Sequence, residues 1–198
     1  MQTPSSSTGR RERNRLDKLE RITAAARELF AARGVDEVTT QQVADLADVG
    51  SGTVFLYARS KSELLLLSQN AEYADALERG RIDEARALDP IDAIVAILRP
   101  VVECNRKHPA NGRAYLRELV FGDASEPFHR AARELSEATG DLVVESLIRR
   151  TALERPTAEA TGRIVAGIQL HAMATAGPDA AAADVVEEIR GQLAILLG

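Results

Sequence analysis

Apolar residues recur three or four apart along most of the chain, and the runs break at proline, glycine or capping residues. From about residue 12, Leu16, Leu19, Ile22, Ala26, Leu29 and Phe30 fall on one stripe, which predicts an amphipathic helix ending at Gly34. Val35 and Val38 return the chain to the core. Thr39 and Gln42 then form a capping-box pattern that opens a short helix over about 40–47. Gly50 serves as the next cap, and a second short helix covers about 51–57. Ser60 and Glu63 repeat the box ahead of a long helix to about residue 79, with Leu64, Leu67, Ala71 and Ala74 on its stripe. The segment GRIDEARALD reads as a connection with no assigned structure.

Beyond it the punctuation is regular. Asp89-Pro90 opens a helix to about 107, His108-Pro109 stops it, and 110–121 forms the next. A loop over 122–126 leads to Pro127, suited to a first helical position, and a helix to about 151. Thr157 is the expected cap of a helix ending near Gly177-Pro178, and 180–197 closes the chain. The pattern predicts an all-α protein of about nine helices, with no convincing strand alternation and no internal repeat.

Composition agrees, with 45% apolar residues, 4% aromatic and no Trp in 198 residues. No apolar run approaches the ~18–20 residues that span a bilayer, and MQTPSSSTGRRERNR lacks the apolar core of a signal peptide. The expectation is a soluble cytoplasmic protein with no membrane association. The single Cys104 excludes an intramolecular disulfide and suits a packing role in a reducing compartment.

Charge changes the picture once it is divided. The net charge of -5 separates into +1 over residues 1–64 and -6 over the rest. Within the first part Arg10, Arg11, Arg13 and Arg15 make a local basic segment, which suits either a solvated helix end or an arm for the minor groove. Residues 1–9, rich in Ser, Thr, Pro and Gly, read as a disordered tail.

Two short helices joined by a tight turn and supported by a preceding amphipathic helix are a helix-turn-helix arrangement. Val43, Ala47, Val49 and Val54 can pack inward. Ser51, Gly52, Thr53, Phe55, Leu56 and Tyr57 then offer small residues for close approach to a groove, hydroxyls for base edges or phosphate, and apolar groups for thymine methyls. Lys61 adds an ammonium beside free first-turn amides, and Thr40 and Gln41 begin the preceding short helix against the backbone. The same spacing also fits a helical domain whose short helices merely pack, with Phe55 and Tyr57 as core aromatics.

This segment resembles the DNA-binding domain of the TetR family of bacterial transcriptional regulators. Thr39, Thr40, Val43, Ala44, Val49, Gly52, Thr53, Tyr57, Lys61, Glu63 and Leu64 match that family's pattern in register, as do Leu29-Phe30 and Gly34 of the first helix. Asp48 and Gly50 stand where the family usually has Gly and Ser. Phe55 replaces a Tyr whose hydroxyl commonly reaches phosphate, and Ala58 a bulky core residue, so a slightly looser domain is expected. The resemblance implies a DNA-binding domain over 10–60 and a ligand-binding and dimerisation domain over 61–198. It further implies a homodimeric, ligand-responsive repressor of a double-stranded palindromic operator.

In the second part, the segment 91–102 is apolar on nearly every side and should be surrounded, with Pro100 kinking it. Val95, Leu98 and Val102 beside Tyr115, Leu119, Phe121, Phe128 and His171 are candidates either for the wall of an apolar cavity or for a filled core. A cavity would take a small apolar or amphipathic effector, and no cofactor is indicated. Gly162, Ala166, Ile189, Leu193 and Leu196 on the last two helices permit close helix approach. The resemblance makes these helices a four-helix dimer interface; the alternative is packing within one chain. His108, His129 and His171 lack metal-ligand spacing, and no catalytic constellation or phosphate-cradling Gly loop is present. The chain therefore reads as no enzyme, with an all-helical protein-interaction module as the rival to a DNA-binding regulator.

Overall fold

The computed structural model describes residues 6–198, in which nine helices and no strand are found. The chain divides into two compact units, residues 1–68 and 69–198.

The first unit holds α1 (Ser6–Arg33), α2 (Thr40–Leu46), α3 (Ser51–Tyr57) and the start of α4 (Lys61–Glu84). Helix α1 begins at Ser6, so residues 6–9 of the expected tail are helical, and residues 1–5 lie outside the described residues. The Arg-rich run joins that helix because Arg15 reaches back one turn to Glu12 at 2.7 Å. The apolar stripe buries Ile22, Ala26 and Phe30, whereas Leu16 at the N-terminal end is half exposed. Gly34 closes α1 in the left-handed conformation at φ 81°, its amide bonded to the Phe30 carbonyl at 2.9 Å.

Both capping boxes are present, in different forms. The Gln42 amide donates to the Thr39 hydroxyl at 3.2 Å and the Thr39 amide to the Gln42 side chain at 2.8 Å. At α4 the Glu63 amide donates to Ser60, but the Glu63 carboxylate accepts from the amide of Arg59, one residue earlier than the pattern implies. The compact unit extends beyond residue 60 because the first turns of α4 carry Leu64, Leu65 and Leu66, all fully buried.

The second unit comprises the rest of α4 with α5 (Pro90–Arg106), α6 (Pro109–Phe121), α7 (Pro127–Arg150), α8 (Arg155–Thr175) and α9 (Ala182–Leu197). Helix α5 is central, touching α6, α7, α8 and α9, and it buries eleven of its residues. It runs unbroken through the buried Pro100. Asp89 caps it, accepting from the amides of Ile91 and Asp92 at 2.8 and 3.1 Å. Helix α8 begins at Arg155 behind Glu154, so Thr157 lies inside the helix and is not its cap; Pro156 occupies the first turn instead.

Half of the segment expected as a connection is helix. Gly80 disfavours a helix interior by ~1 kcal/mol, yet α4 continues to Glu84 because tertiary packing demands it. A Cβ at Gly80 would lie 2.6 Å from the Ile97 carbonyl oxygen, so only glycine lets the two backbones approach this closely. Four residues on, Glu84 is 4% exposed and accepts from the Ser146 hydroxyl at 2.7 Å, from Arg149 at 2.8 Å and from Arg150. Arg150 also donates to the carbonyls of Glu84 and Ala87 at 2.9 and 3.2 Å, tying the end of α4 to α7.

Candidate nucleic-acid interface and ligand cavity

In the first unit the two short helices are positioned by small and β-branched residues. Val43, Ala44, Ala47, Val54 and Ala58 are buried to within 2% exposure, while Val49 is half-buried. Ala58, where a bulky residue was expected from the family pattern, is thus fully enclosed. The turn between α2 and α3 passes through Asp48 at φ 50°, the left-handed conformation that explains why Gly is usual there. Arg21 of α1 supports it, 3.4 Å from the Asp48 carbonyl and 3.6 Å from its carboxylate.

Gly50 caps α3 without any side-chain hydrogen bond. The Ser51 hydroxyl instead donates to the Gln41 side-chain carbonyl, and the Gln41 amide donates to Asp45 at 2.6 Å. Gln41 therefore locks α2 to α3. Gly52 is exposed with nothing within 4 Å of a would-be Cβ, Thr53 and Thr40 are half-buried, and Phe55 and Leu56 stand 51% and 84% exposed. Two large apolar side chains are thus left in water beside a glycine and two hydroxyls. Phe55 is therefore no core aromatic, whereas Tyr57 is half-buried.

Two sequence-based assignments change. The Tyr57 hydroxyl donates to the main-chain carbonyl of Arg15 at 3.0 Å, so its proton ties α3 to α1. Lys61 donates to the Asp36 carbonyl at 3.2 Å, a bond that uses one of its three N–H groups. The Arg10 to Arg15 segment is part of the α1 helix and its side chains are exposed.

The second unit encloses a cavity of about 230 Å³. Leu98, Tyr115 and Leu119 line it as expected, joined by Tyr73 from α4, Val101 from α5, Leu116 from α6, Leu135 and Val143 from α7, and Met173 from α8. Val95 and Val102 belong to the packed core, because they lie on sides of α5 turned to other helices. Phe121 ends α6 83% exposed, Phe128 is half-buried, and His171 lies on the exposed side of α8; none of the three lines the cavity. No charged side chain lines it; the polar groups are the two tyrosines, Ser136, Thr139 and Gln169. Burial pushes the hydroxyls of Tyr73 and Tyr115 well above the ordinary phenol range, so both remain protonated donors.

The candidate dimer residues also separate. Ile189 and Leu193 are buried in the chain's own core, and Gly162 faces Val144 of α7 and the cavity. These three serve packing within the chain, because the apolar stripe of α9 is turned to α5. Leu196 is half-buried and Ala166 is exposed at the cavity's edge. The outward sides of α8 and α9 instead present Ile164, 51% exposed, and Ile195, 88% exposed, near Gly167 and Gly191. Among the described residues no group of three His, Cys, Asp or Glu is placed to hold a metal, and no helix is long and apolar enough to cross a membrane.

A helix-turn-helix unit joined to a helical unit with an apolar cavity defines a class of transcriptional regulator. Residues 22–67 match the model of the bacterial regulatory proteins of the tetR family, a family of DNA-binding regulators. It is 28% identical over 185 residues to the HTH-type transcriptional repressor KstR of Rhodococcus jostii (strain RHA1), covering 92% of this chain and 84% of the relative. The KstR repressor of Mycobacterium tuberculosis is likewise 28% identical, over 92% of this chain and 81% of its own. Among solved structures, the TetR-family repressor FadR of Thermus thermophilus, in complex with lauroyl-CoA, superposes with a TM-score of 0.68 at 29% identity, covering 90% of this chain and 93% of its own.

Proposed function

We propose that the protein is a cytoplasmic, homodimeric repressor that releases a palindromic operator when a small neutral effector fills the cavity of its second unit. The observation that carries the reading is the outer surface of α3, where Phe55 and Leu56 stand in solvent beside Gly52 while Val54 anchors the helix. Ser51, Gly52 and Thr53 approach the bases, Phe55 and Leu56 meet thymine methyls, and Lys61 with Thr40 holds phosphate. Gln41 and Tyr57 fix the helices that do so. The repressor names of both KstR relatives and of FadR support the sign of regulation.

The outward sides of α8 and α9 supply the dimer contact. Ile164 and Ile195 are unpartnered apolar groups, Gly167 and Gly191 allow close approach, and Arg163 on α8 complements Glu187 and Glu188 on α9 across a two-fold axis. The uncharged lining and its size, below the ~300 Å³ at which drug-sized pockets begin, point to a small apolar molecule or the apolar part of an amphipathic one. The lauroyl-CoA of the FadR complex is an amphipathic molecule of this kind.

Selection of bound duplexes from a random DNA library, followed by titration of the winner against scrambled DNA at several salt concentrations, tests the DNA-binding function. The expected winner is a palindrome bound at least ~1,000-fold more tightly than scrambled DNA. Enrichment of nothing, with only weak salt-sensitive binding, would favour an interaction module for a protein partner.

A further inference from the structure

Tyr73 is the residue through which α4 lines the cavity, and it does not stand alone. Its ring stacks on that of Tyr115 from α6, with centroids 4.4 Å apart and planes 17° from parallel. The Tyr115 hydroxyl donates to Asn70 Oδ1 at 2.8 Å, and the Asn70 amide donates to the Phe128 carbonyl at the start of α7 at 3.0 Å. The Tyr73 hydroxyl in turn accepts from Asn105 of α5 at 2.9 Å. Asn70 and Tyr73 are one turn apart on the same side of α4, and both answer to the one cavity residue, Tyr115.

We infer that Tyr115 is a positioning residue through which a ligand in the cavity acts on α4, by way of its hydrogen bond to Asn70. The inference rests on the effector reading above. A ligand that shifts the Tyr115 ring must either carry Asn70 with it or break the bond. Either event breaks one of two hydrogen bonds, Tyr115–Asn70 or Asn70–Phe128, which with the ring stack set the position of α4 against α6 and α7 at this level. The ring stack alone is non-directional and tolerates sliding; the hydrogen bond does not.

The test measures affinity for the selected operator with and without saturating 1-decanol, a neutral probe with one hydroxyl, and measures decanol binding separately by calorimetry. A second arm fills the cavity by Gly140→Leu, at a lining position where an added Cβ meets nothing within 4 Å. In the wild type, decanol is expected to weaken operator binding by about 10-fold, within the usual range of allosteric coupling. Tyr115→Phe keeps the ring stack and is expected to bind decanol with near wild-type affinity yet to lose most of that weakening; Asn70→Ala, and the pair combined, should do no more. Full operator release by decanol in Tyr115→Phe overturns the inference, as does loss of decanol binding in that variant, which would make the phenol a ligand contact. If neither decanol nor Gly140→Leu weakens operator binding by the otherwise wild-type protein, the effector reading itself falls, and the relay with it.

Discussion

The two units put their chemistry in opposite places. The first buries small and β-branched residues so that two seven-residue helices can present Gly52, Phe55 and Leu56 to solvent. The second turns its polar groups inward, where Tyr73, Tyr115, Asn70 and Asn105 hydrogen-bond to one another beside a cavity with no charge in its lining. An outward site reading DNA can be built from adjacent residues. An inward site needs five helices to meet, so its members are scattered over a hundred residues.

The contrast can be broken most forcefully at Glu84. Glu84→Ala leaves Arg150, whose side chain is 15% exposed, without its carboxylate, a loss that costs ~3–5 kcal/mol when one partner of a buried pair is removed. Urea unfolding should show the second unit failing, while the first keeps its helices. The same group sets an acid limit. Burial alone would raise the Glu84 pKa, but the hydrogen bonds from Ser146 and Arg149 and the charges of Arg149 and Arg150 outweigh it and hold it below 4.5. A carboxylate with a lowered folded pKa contributes its stability above the ordinary range and loses it as the pH falls through the folded value. Denaturation midpoints should thus fall on acidification below about pH 4.5, and less so in Glu84→Gln.

A smaller pair of changes sharpens the picture within the first unit. Lys61→Ala should weaken binding to all duplexes alike and reduce the salt slope by about 1, with little change in thermal stability. Tyr57→Phe should do the reverse, costing ~1 kcal/mol of stability for the lost bond to the Arg15 carbonyl and leaving the salt slope unchanged. A Tyr57→Phe protein with full stability and weakened operator binding would return the hydroxyl to phosphate.

The smallest effect is expected at the turn. Asp48→Gly removes a left-handed non-glycine residue at the cost of an exposed contact with Arg21. A gain of ~0.5–1 kcal/mol follows, since left-handed strain of about 1–2 kcal/mol exceeds the worth of an exposed ion pair.

The difference in layout explains what could be read from the sequence. Helix boundaries came within a few residues wherever a local signal existed, as at Thr39, Asp89 and Pro127. Where tertiary packing overrode the signal they did not, as at Gly80, where the Ile97 backbone outweighs glycine's poor propensity. Phe55 and Leu56, expected from their position to face outward, are exposed on α3. The roles of Tyr57 and Gln41 were hidden because their partners, Arg15 and Ser51, lie 42 and 10 residues away. In the second unit apolar pattern marked α5 as enclosed but could not say which neighbour each side met. Val95 therefore went to the core and Leu98 to the cavity, and Tyr73 was missed.

Helix α4 carries one more consequence. Its last turn is clamped by Glu84 to three side chains of α7, and at about 1.5 Å per residue Asn70 lies ~21 Å from that clamp. A rigid rod held at one end works as a lever with its fulcrum at Glu84. Each degree of tilt about that fulcrum moves Asn70 by ~0.4 Å. That reach is fixed by where the salt-bridge cluster sits along the helix, so relocating the clamp by one turn would change the travel at Asn70 without touching the cavity.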